Sequence, residues 1–301
     1  MLTSAGKMHA DEVMTDPSLV YRLLSAQFPD WADLSIAPVA SAGTDNALYR
    51  LGEEMAVRLP RIHWAVGQVE KEMRWLPRLA PHLPLAIPEP LAMGEAGHGY
   101  PWRWGVYRWL AGENATPEHI TDPRQAAFDL AEFVVALQKV DATQGSRPGA
   151  LKSSRGVPLA ERDGAVRAAI VSLAGEWDSD TLTAAWESAL YTPVWAGAPV
   201  WLHGDLQAGN LLARNGRLAA VIDFGCLGVG DPACDVMAAW LYLCADTRQI
   251  FRDALQVDDD TWARGKGWAL SMGLMALPYY RTTNPVLTAI GRRAIEEVLA
   301  D

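Results

Sequence analysis

The feature that most constrains the fold is a pair of apolar runs joined by Asn215-Gly216, in "NLLARNGRLAAVID". Asn-Gly is the preferred dipeptide of a two-residue hairpin turn, and the runs on either side resemble strands. Because this turn sets the register of the hairpin, counting back along the strands predicts that Asn210 lies opposite Val221. Asp223, two residues further on, is then expected diagonally across from Asn210 and on the same face.

Polar residues precede this hairpin in "HGDLQAGN". An amide oxygen from Asn210 and a carboxylate from Asp223 suit a hard cation such as Mg²⁺, which takes its other ligands from water and phosphate. Asp205 comes from the loop that leads into the hairpin, so we expect it to accept a hydroxyl proton instead. His203 is expected to orient the loop through a backbone or carboxylate hydrogen bond. Each short motif alone also occurs in ordinary turns, but their combination with the hairpin favours function.

Short β-like runs dominate the first part of the chain. Runs at 34–40, 46–52 and 55–60 are separated by turn residues and predict an antiparallel meander. A helix is predicted around 18–27, and apolar residues spaced by three and four predict another over 64–79. A proline-rich bend and a hairpin-like pair ending in "WRWGVYRWL" follow.

Helical patterns dominate the rest of the chain. Thr121 is predicted to cap a helix with a proline in its first turn. Further helices are predicted near 158–173, near 180–191 and from 231 onward. The predicted fold class is therefore α+β and bilobal, with a small antiparallel β-rich N-terminal lobe, residues 1–110, and a larger helical C-terminal lobe, residues 111–301. A cleft between two lobes is a common place for a ligand.

The net charge is −10, from 26 Lys and Arg against 36 Asp and Glu. This charge argues against a general affinity for nucleic acid or for an anionic membrane. The first residues lack the pattern of a secretory signal, and no apolar run is long enough to span a bilayer. The three cysteines lack the close spacing of a zinc or redox site. We therefore expect a cytoplasmic protein that is a monomer or a weak dimer.

The motifs "HGDLQAGN", "IDFG" and "GDPACD" together resemble those of the aminoglycoside phosphotransferase family, small-molecule kinases with a protein-kinase-like fold. The bilobal layout agrees with this family over nearly the whole chain. The resemblance implies that Asp205 is the base that deprotonates an acceptor hydroxyl, and that Asn210 and Asp223 hold Mg²⁺ against the phosphates of ATP or GTP. It also implies that Asp231 and Asp235 are structural acids that could cap the next helix.

The resemblance also implies a nucleotide site in the N-terminal lobe. Arg58 stands where the family usually carries a lysine, and its expected partner is Glu72, with Glu70 as the alternative. The remaining expected nucleotide contacts are the loop residues Ser41, Gly43 and Thr44 and the hinge residues Tyr107, Trp109 and Leu110. The loop has one glycine instead of the three of a typical protein kinase.

The expected acceptor is a hydroxylated small molecule, first of all an aminoglycoside. Acids at 258–260 and 296–297 are available to attract such a polycation. Macrolides, choline, homoserine and fructosamine-like substrates remain alternatives, because one fold serves many substrates. A protein Ser/Thr kinase is less favoured, since little room for an activation loop follows Asp223. A non-catalytic nucleotide-binding relative is also less favoured, since the residues implied as base and metal ligands are all present.

Overall fold

The computed structural model describes residues 11–41, 43–145 and 155–301. Two compact units divide the chain: Met1–Pro81 with Ala86–Ala111, called unit 1 here, and His82–Leu85 with Gly112–Asp301, called unit 2. Within the described ranges, no helix is long and apolar enough to cross a membrane.

Unit 1 contains a five-stranded antiparallel sheet in the order β1-β2-β3-β5-β4. Its elements are α1 Pro17–Gln27, β1 Ile36–Pro38, β2 Asn46–Leu51, β3 Met55–Pro60, α2 Gln68–Leu79, β4 Pro90–Gly94 and β5 Trp104–Arg108. The meander and the later hairpin-like pair predicted from the sequence are both confirmed.

Every second residue of β2 is buried and contributes to the core of unit 1. Tyr49 and Leu51 are buried, whereas Arg50 between them is half-buried. The buried side chains share a cluster with Leu23 and Leu24 of α1. Since side chains alternate between the two faces of a strand, this period places one face of the sheet against α1. Packing against α1 holds in place the sheet whose strand β3 carries Arg58.

The second helix begins later than the sequence pattern predicted. Residues His63–Ala65 form a single 3₁₀ turn, and α2 begins at Gln68. Gly67 between them has φ +90°, a left-handed conformation that a continuous right-handed helix excludes. The predicted helix over 64–79 is therefore correct at its end but wrong at its start.

Unit 2 combines small antiparallel sheets with many helices. The sheets have the strand orders β6-β8-β9 and β7-β10. The elements are β6 Glu113–Asn114, α3 Pro123–Lys139, α4 Asp163–Ser172, α5 Ser179–Leu190, β7 Val200–Leu202, β8 Leu211–Arg214, β9 Arg217–Val221, β10 Gly228–Gly230, α6 Ala233–Val236, α7 Ala238–Leu241, α8 Ala245–Leu255, α9 Asp259–Tyr280 and α10 Pro285–Ala300. The predicted α+β class, with a β-rich part before a larger helical part, is confirmed.

Helix α9 forms the centre of the helical part and packs against α4, α5, α6 and α10. Its residues Trp268 and Leu274 are fully buried. The predicted cap of α3 is wrong by one residue. Asp122, not Thr121, accepts the backbone N–H groups of the first turn, because Pro123 occupies the first helical position and the cap must precede it.

The hairpin β8–β9 follows its predicted register only near the turn. Arg214 pairs with Arg217 as expected, but Leu211, not Asn210, lies opposite Val221. The register shifts between Leu212 and Ala213, where β9 contains an extra residue. Such a β-bulge sets two residues against one, so the predicted diagonal placement of Asn210 and Asp223 is wrong.

Candidate active site

The loop at residues 203–210, called the Asp205 loop here, is anchored by a buried carboxylate. Asp235 of α6 accepts the backbone N–H groups of His203 at 2.8 Å and Gly204 at 2.7 Å. Burial raises the pKa of the Asp235 carboxyl group. Gly204 has φ +80°, which favours glycine. Asp235 therefore sets the chain direction immediately before Asp205 and does not cap the helix in which it lies.

Asp231 is the second acid for which the sequence resemblance implies a structural role, and it contacts the start of a helix. Its Oδ1 accepts the N–H of Ala233, the first residue of α6, at 2.9 Å. Its Oδ2 accepts from Nε of Arg264 at 2.7 Å, and both side chains are buried. Because the carboxylate meets a cation and a helix start together, its charge is compensated inside the protein.

His203 joins the Asp205 loop to the segment after β9. Its Nδ1 accepts the backbone N–H of Asp205 at 3.2 Å, and its Nε2 lies 3.0 Å from the carbonyl oxygen of Ile222. A carbonyl can only accept, so these partners assign the proton to Nε2 of a neutral ring. The ring also packs edge-on against Phe224, with centroids 4.7 Å apart. These contacts suit an orienting role.

Asn210 closes the loop onto Asp205. Its Nδ2 donates to the backbone oxygen and to Oδ2 of Asp205, both at 2.8 Å. A 3₁₀ turn, Ala208–Asn210, positions the amide, and Oε1 of Gln207 accepts the N–H of Gly209 in that turn at 2.7 Å. The amide nitrogen is thus committed to Asp205, which makes Oδ1 the atom with which Asn210 could bind a cation.

Asp223 follows β9 in a backbone conformation that few residues adopt. Its φ of 61° and ψ of 71° lie in the left-handed region, where Asp and Asn are tolerated better than most side chains. Its Oδ1 accepts the N–H of Gly225 at 3.3 Å. Strained residues of this kind are frequent at functional sites.

The donor chemistry of these two residues fits Mg²⁺. An amide oxygen and a carboxylate are hard ligands, and Mg²⁺ in phosphoryl-transfer sites often takes only one or two protein ligands. In the described part of the chain, no group of three or more His, Cys, Asp or Glu could hold a metal ion. A magnesium site built here would therefore depend on water and phosphate for its remaining ligands.

In unit 1, Arg58 of β3 pairs with Glu72 of α2, with side-chain exposures of 12% and 1%. The other oxygen of Glu72 accepts from the Tyr107 hydroxyl at 2.6 Å, and Arg58 also donates to Oε1 of Gln68 at 3.2 Å. Glu70, the alternative partner, lies instead 3.5 Å from Arg103. The acid is thus held at both oxygens and fixes one end of the guanidinium.

The turn before β2 is partly occupied by its own contacts. The N–H of Gly43 donates to Oγ of Ser41 at 3.0 Å, and Oγ1 of Thr44 donates to Asp45 at 3.2 Å. Asp45 also accepts from Trp64 at 3.0 Å. Because the Gly43 donor is used locally, binding of phosphate by this N–H group would require a rearrangement. Ala42 lies outside the described residues.

The expected hinge residues differ in what their backbones can offer. Tyr107 is buried within β5, and its hydroxyl serves Glu72. The N–H of Trp109 donates to the carbonyl oxygen of Glu54 at 2.7 Å, while the Arg50 guanidinium lies 4.0 Å from the Trp109 ring centroid. Leu110 follows the strand, which ends at Arg108, and its backbone remains an expected contact of a base.

Arg155 is a neighbour of Asp205 that sequence reasoning missed. Its side-chain stem lies against Gly204: a Cβ atom added to that glycine would be 2.9 Å from Cγ of Arg155. Burial lowers the pKa of its guanidinium, but Cys226 and Asp205 raise that pKa by more, so the pKa of Arg155 lies above its usual value. No local pattern marks this arginine, because it is separated by about fifty residues from the motif it approaches.

Unit 2 contains an aspartate loop closed by an asparagine and a hairpin followed by a second aspartate. Unit 1 contains a buried Arg–Glu pair. The protein-kinase-like phosphotransferases that the sequence motifs resemble are expected to carry these features. A model of the phosphotransferase enzyme family, APH, matches residues 36–268. The chain belongs to this family, which makes it a small-molecule kinase.

Solved structures share this fold over nearly the whole chain. The GDP and kanamycin complex of APH(2″)-IIIa is 20% identical, with a TM-score of 0.73, covering 93% of this chain and 98% of that one. The streptomycin–ATP–APH(2″)-IIa complex is 18% identical, with a TM-score of 0.64 and coverages of 96% and 98%. Macrolide 2′-phosphotransferase MphH from Brachybacterium faecium is 22% identical, with a TM-score of 0.61 and coverages of 93% and 97%. Comparison with curated protein sequences gives no match.

Proposed function

We propose that this protein transfers the γ-phosphoryl group of ATP or GTP to a hydroxyl group of a small molecule, with Asp205 as the catalytic base. The observation that carries the proposal is the contact of the Asn210 amide with the Asp205 carboxylate, 2.8 Å from Nδ2 to Oδ2. This contact orients one carboxylate oxygen, and Asp205 is half-buried in the loop that precedes the hairpin β8–β9. A carboxylate held in this way is suited to accept a proton from a bound hydroxyl.

In the proposed reaction, the acceptor oxygen attacks the γ-phosphorus and the bond from that phosphorus to the bridging oxygen breaks. The hydroxyl proton passes to the Asp205 carboxylate, and the nucleoside diphosphate leaves with the bonding electrons. His203 and Asp235 hold the loop during this step through their backbone contacts. Their contribution is positional, since neither donates a group to the reaction.

Asn210 through Oδ1 and Asp223 through its carboxylate would hold Mg²⁺. When bound, the ion neutralises charge on the nucleotide phosphates. In the same proposal, Arg58 contacts a phosphate with its guanidinium group, which the pairing with Glu72 orients. Ser41, Gly43 and Thr44 are the proposed loop contacts, and the backbone around Leu110 is the proposed base contact. The names of the solved relatives include both GDP and ATP, which supports either nucleotide here.

Substitution of Asp205 by asparagine tests the base. Asparagine keeps the size of the side chain but cannot take the proton, so turnover should fall by about 10²- to 10⁴-fold while nucleotide affinity is retained. Asp129→Asn is a matched control, because Asp129 lies on α3 and accepts from Gln125 and Arg217 outside the site. Unchanged turnover in D205N would refute the assignment.

The acceptor requires a direct screen. The solved relatives are named for aminoglycosides and macrolides. Their structural similarity supports the fold, but because their sequence identity to this chain is low, they do not decide between acceptors. We propose to measure nucleotide turnover with Mg²⁺ against aminoglycosides, macrolides, choline, sugars and hydroxy acids. Acceptor-dependent formation of a phosphorylated product is the expected result. Absence of transfer to every compound, with nucleotide binding intact, would count against the proposed activity.

A further inference from the structure

A polar cluster in unit 1 surrounds the guanidinium of Arg58 and includes Gln68, a residue outside the sequence motifs. Gln68 is the first residue of α2, and Glu72 follows it by one helical turn. Side chains four residues apart lie on the same face of a helix. Arg58 donates to both of them, to Oε1 of Glu72 and to Oε1 of Gln68, the latter at 3.2 Å. The helix therefore offers Arg58 one charged acceptor and one neutral acceptor.

The other end of the Gln68 amide binds the turn before β2. Its Nε2 donates to Oδ2 of Asp45 at 3.2 Å. Oδ1 of Asp45 accepts from Nε1 of Trp64 at 3.0 Å and from Oγ1 of Thr44 at 3.2 Å. Trp64 belongs to the 3₁₀ turn before α2, and Gly67, with φ +90°, separates that turn from the helix. Asp45 is thus held by two successive segments of the chain.

The charges of the two partners fix the orientation of the Gln68 amide. An ionised carboxylate only accepts hydrogen bonds and a guanidinium only donates them, so the NH₂ group faces Asp45 and the oxygen faces Arg58. A carboxylate or an ammonium group in the same place would suit only one of these partners. An amide side chain is therefore the kind of group that links this acid to this cation.

The link spans a distance that the backbone pairing alone leaves open. The carbonyl oxygen of Asp45 accepts the backbone N–H of Arg61 at 2.7 Å. Arg61 lies three residues along the chain from Arg58, which corresponds to about 10 Å in an extended strand. Gln68 connects the two ends of this interval through its side chain. It thereby joins the two parts of unit 1 that are proposed to contact nucleotide phosphate, the turn at residues 43–45 and Arg58.

We propose that Gln68 is a positioning residue for the nucleotide, which couples the turn at residues 43–45 to Arg58 so that both meet the phosphate groups together. This inference rests on the proposed phosphotransferase function and extends its nucleotide site. Glu72 holds one terminal nitrogen of the guanidinium and Gln68 holds the other. Because the guanidinium is a planar fork, contacts at both terminal nitrogens fix its plane as well as its position. A cation fixed in advance loses less freedom when phosphate binds.

Substitution of Gln68 by alanine tests the coupling through nucleotide affinity. Calorimetric titration with the β,γ-methylene analogues of ATP and GTP and Mg²⁺ requires no acceptor. Loss of the hydrogen bonds to two charged groups should raise Kd about tenfold, equivalent to about 1.4 kcal/mol. In steady-state assays the nucleotide KM should rise by the same factor while kcat changes by less than about threefold, because the lost interaction serves binding.

Gln27→Ala is the matched control for this substitution. Gln27 is also a half-buried glutamine of unit 1, and its amide bonds the backbone of Glu95 outside the cluster. The Kd of this variant should stay within about twofold of the wild type.

An exchange of the two linked side chains separates this contact from a general loss of stability. Gln68→Glu alone sets two carboxylates against each other, and Asp45→Asn alone sets an NH₂ group against a donor of Gln68 or Trp64, so each should weaken nucleotide binding. The double variant Asp45→Asn/Gln68→Glu again sets a donor against an acceptor and keeps the net charge. It should bind nucleotide at least about threefold more tightly than either single variant.

A second background tests whether Gln68 acts through the cation. Arg58→Gln removes the positive charge but keeps a donor for the buried Glu72. In this background, Gln68→Ala should change Kd by less than about twofold. Thermal unfolding checks that each variant is folded, and the exchange variants decide the question if Arg58→Gln is not.

The outcomes separate this inference from the proposed activity. A Kd of Gln68→Ala within about twofold of the wild type, a double variant no better than the single ones, or an equal loss in the Arg58→Gln background would overturn the coupling. Transfer that depends on Asp205 would survive that result. The expected pattern of Kd values without phosphoryl transfer to any acceptor would keep the coupling and reject the activity. Absence of nucleotide binding by the wild type would reject both.

Discussion

Replacement of Asp235 by alanine removes the acceptor of two backbone N–H groups at the start of the Asp205 loop. These groups belong to His203 and Gly204, which lie 2.8 and 2.7 Å from the carboxylate. His203 and Asp235 have no exposed surface, so water cannot readily replace the lost acceptor. Each unsatisfied buried donor costs about 1–3 kcal/mol, which gives about 2–6 kcal/mol for the pair. Domains are typically stable by about 5–15 kcal/mol, so this loss is a large fraction.

Urea unfolding followed by tryptophan fluorescence measures this loss. Asp235→Asn should be intermediate, because its amide keeps one acceptor oxygen. Asp253→Ala is the surface control, since Asp253 is exposed and accepts from Gln249 on the same helix, and the free energy of unfolding of this variant should change by less than about 0.5 kcal/mol. Folded D235A should also lose kcat more than nucleotide affinity. A free energy of unfolding within about 0.5 kcal/mol of the wild type would refute the reasoning.

Three further predictions concern other parts of the molecule. Arg58→Lys replaces a planar fork with a point charge, so the Glu72 contact and a phosphate contact compete, and the nucleotide KM should rise about tenfold in steady-state assays. Asp258→Ala removes the cap of α9 and should lower the free energy of unfolding by about 1 kcal/mol at neutral pH. Hydrogen bonds in the first turn lower the pKa of Asp258. The stabilisation by Asp258 is therefore present above the usual carboxyl pKa of about 4 and is lost as pH falls through the lowered value. The free energies of unfolding of the wild type and of Asp258→Ala should therefore converge at acid pH. Burial raises the pKa of the Cys234 thiol, whereas Cys244 is exposed, so mass spectrometry after labelling should find Cys244 modified first and Cys234 only in urea.

The local sequence predicted the turn of the hairpin β8–β9 correctly, but not the register at the end of the hairpin away from the turn. Asn215-Gly216 specifies a tight turn through its own backbone preferences, so Arg214 and Arg217 pair as expected. The bulge in β9 has no comparable local signal. Ala220 and Val221, which are consecutive, are both buried, a result that depends on what covers the two faces of the sheet. Strict alternation could not predict that arrangement.

The same distinction applies to the candidate site. The residue types in the Asp205 loop and at Asp223 are local motifs, and their chemistry could be inferred without a structure. The anchoring by Asp235 and the approach of Arg155 depend on segments about thirty and fifty residues from Asp205. Such contacts arise when α6 and the segment before α4 pack against the loop. Only the tertiary structure shows them, and they bear most directly on the positioning of Asp205.

The two proposed magnesium ligands should respond differently to substitution, because Asn210 has a second task. Asn210→Ala removes an oxygen ligand and also the hydrogen bonds that hold Asp205, so raising Mg²⁺ should not restore its maximal rate. Asp223→Asn keeps the left-handed backbone that asparagine tolerates and leaves the Asp205–Asn210 contact in place. Its half-saturating Mg²⁺ concentration should rise by at least about tenfold, with turnover largely restored at saturation. Identical magnesium titrations for the two variants would show that Asn210 does not position Asp205, and that the base and the metal site cannot be separated as proposed.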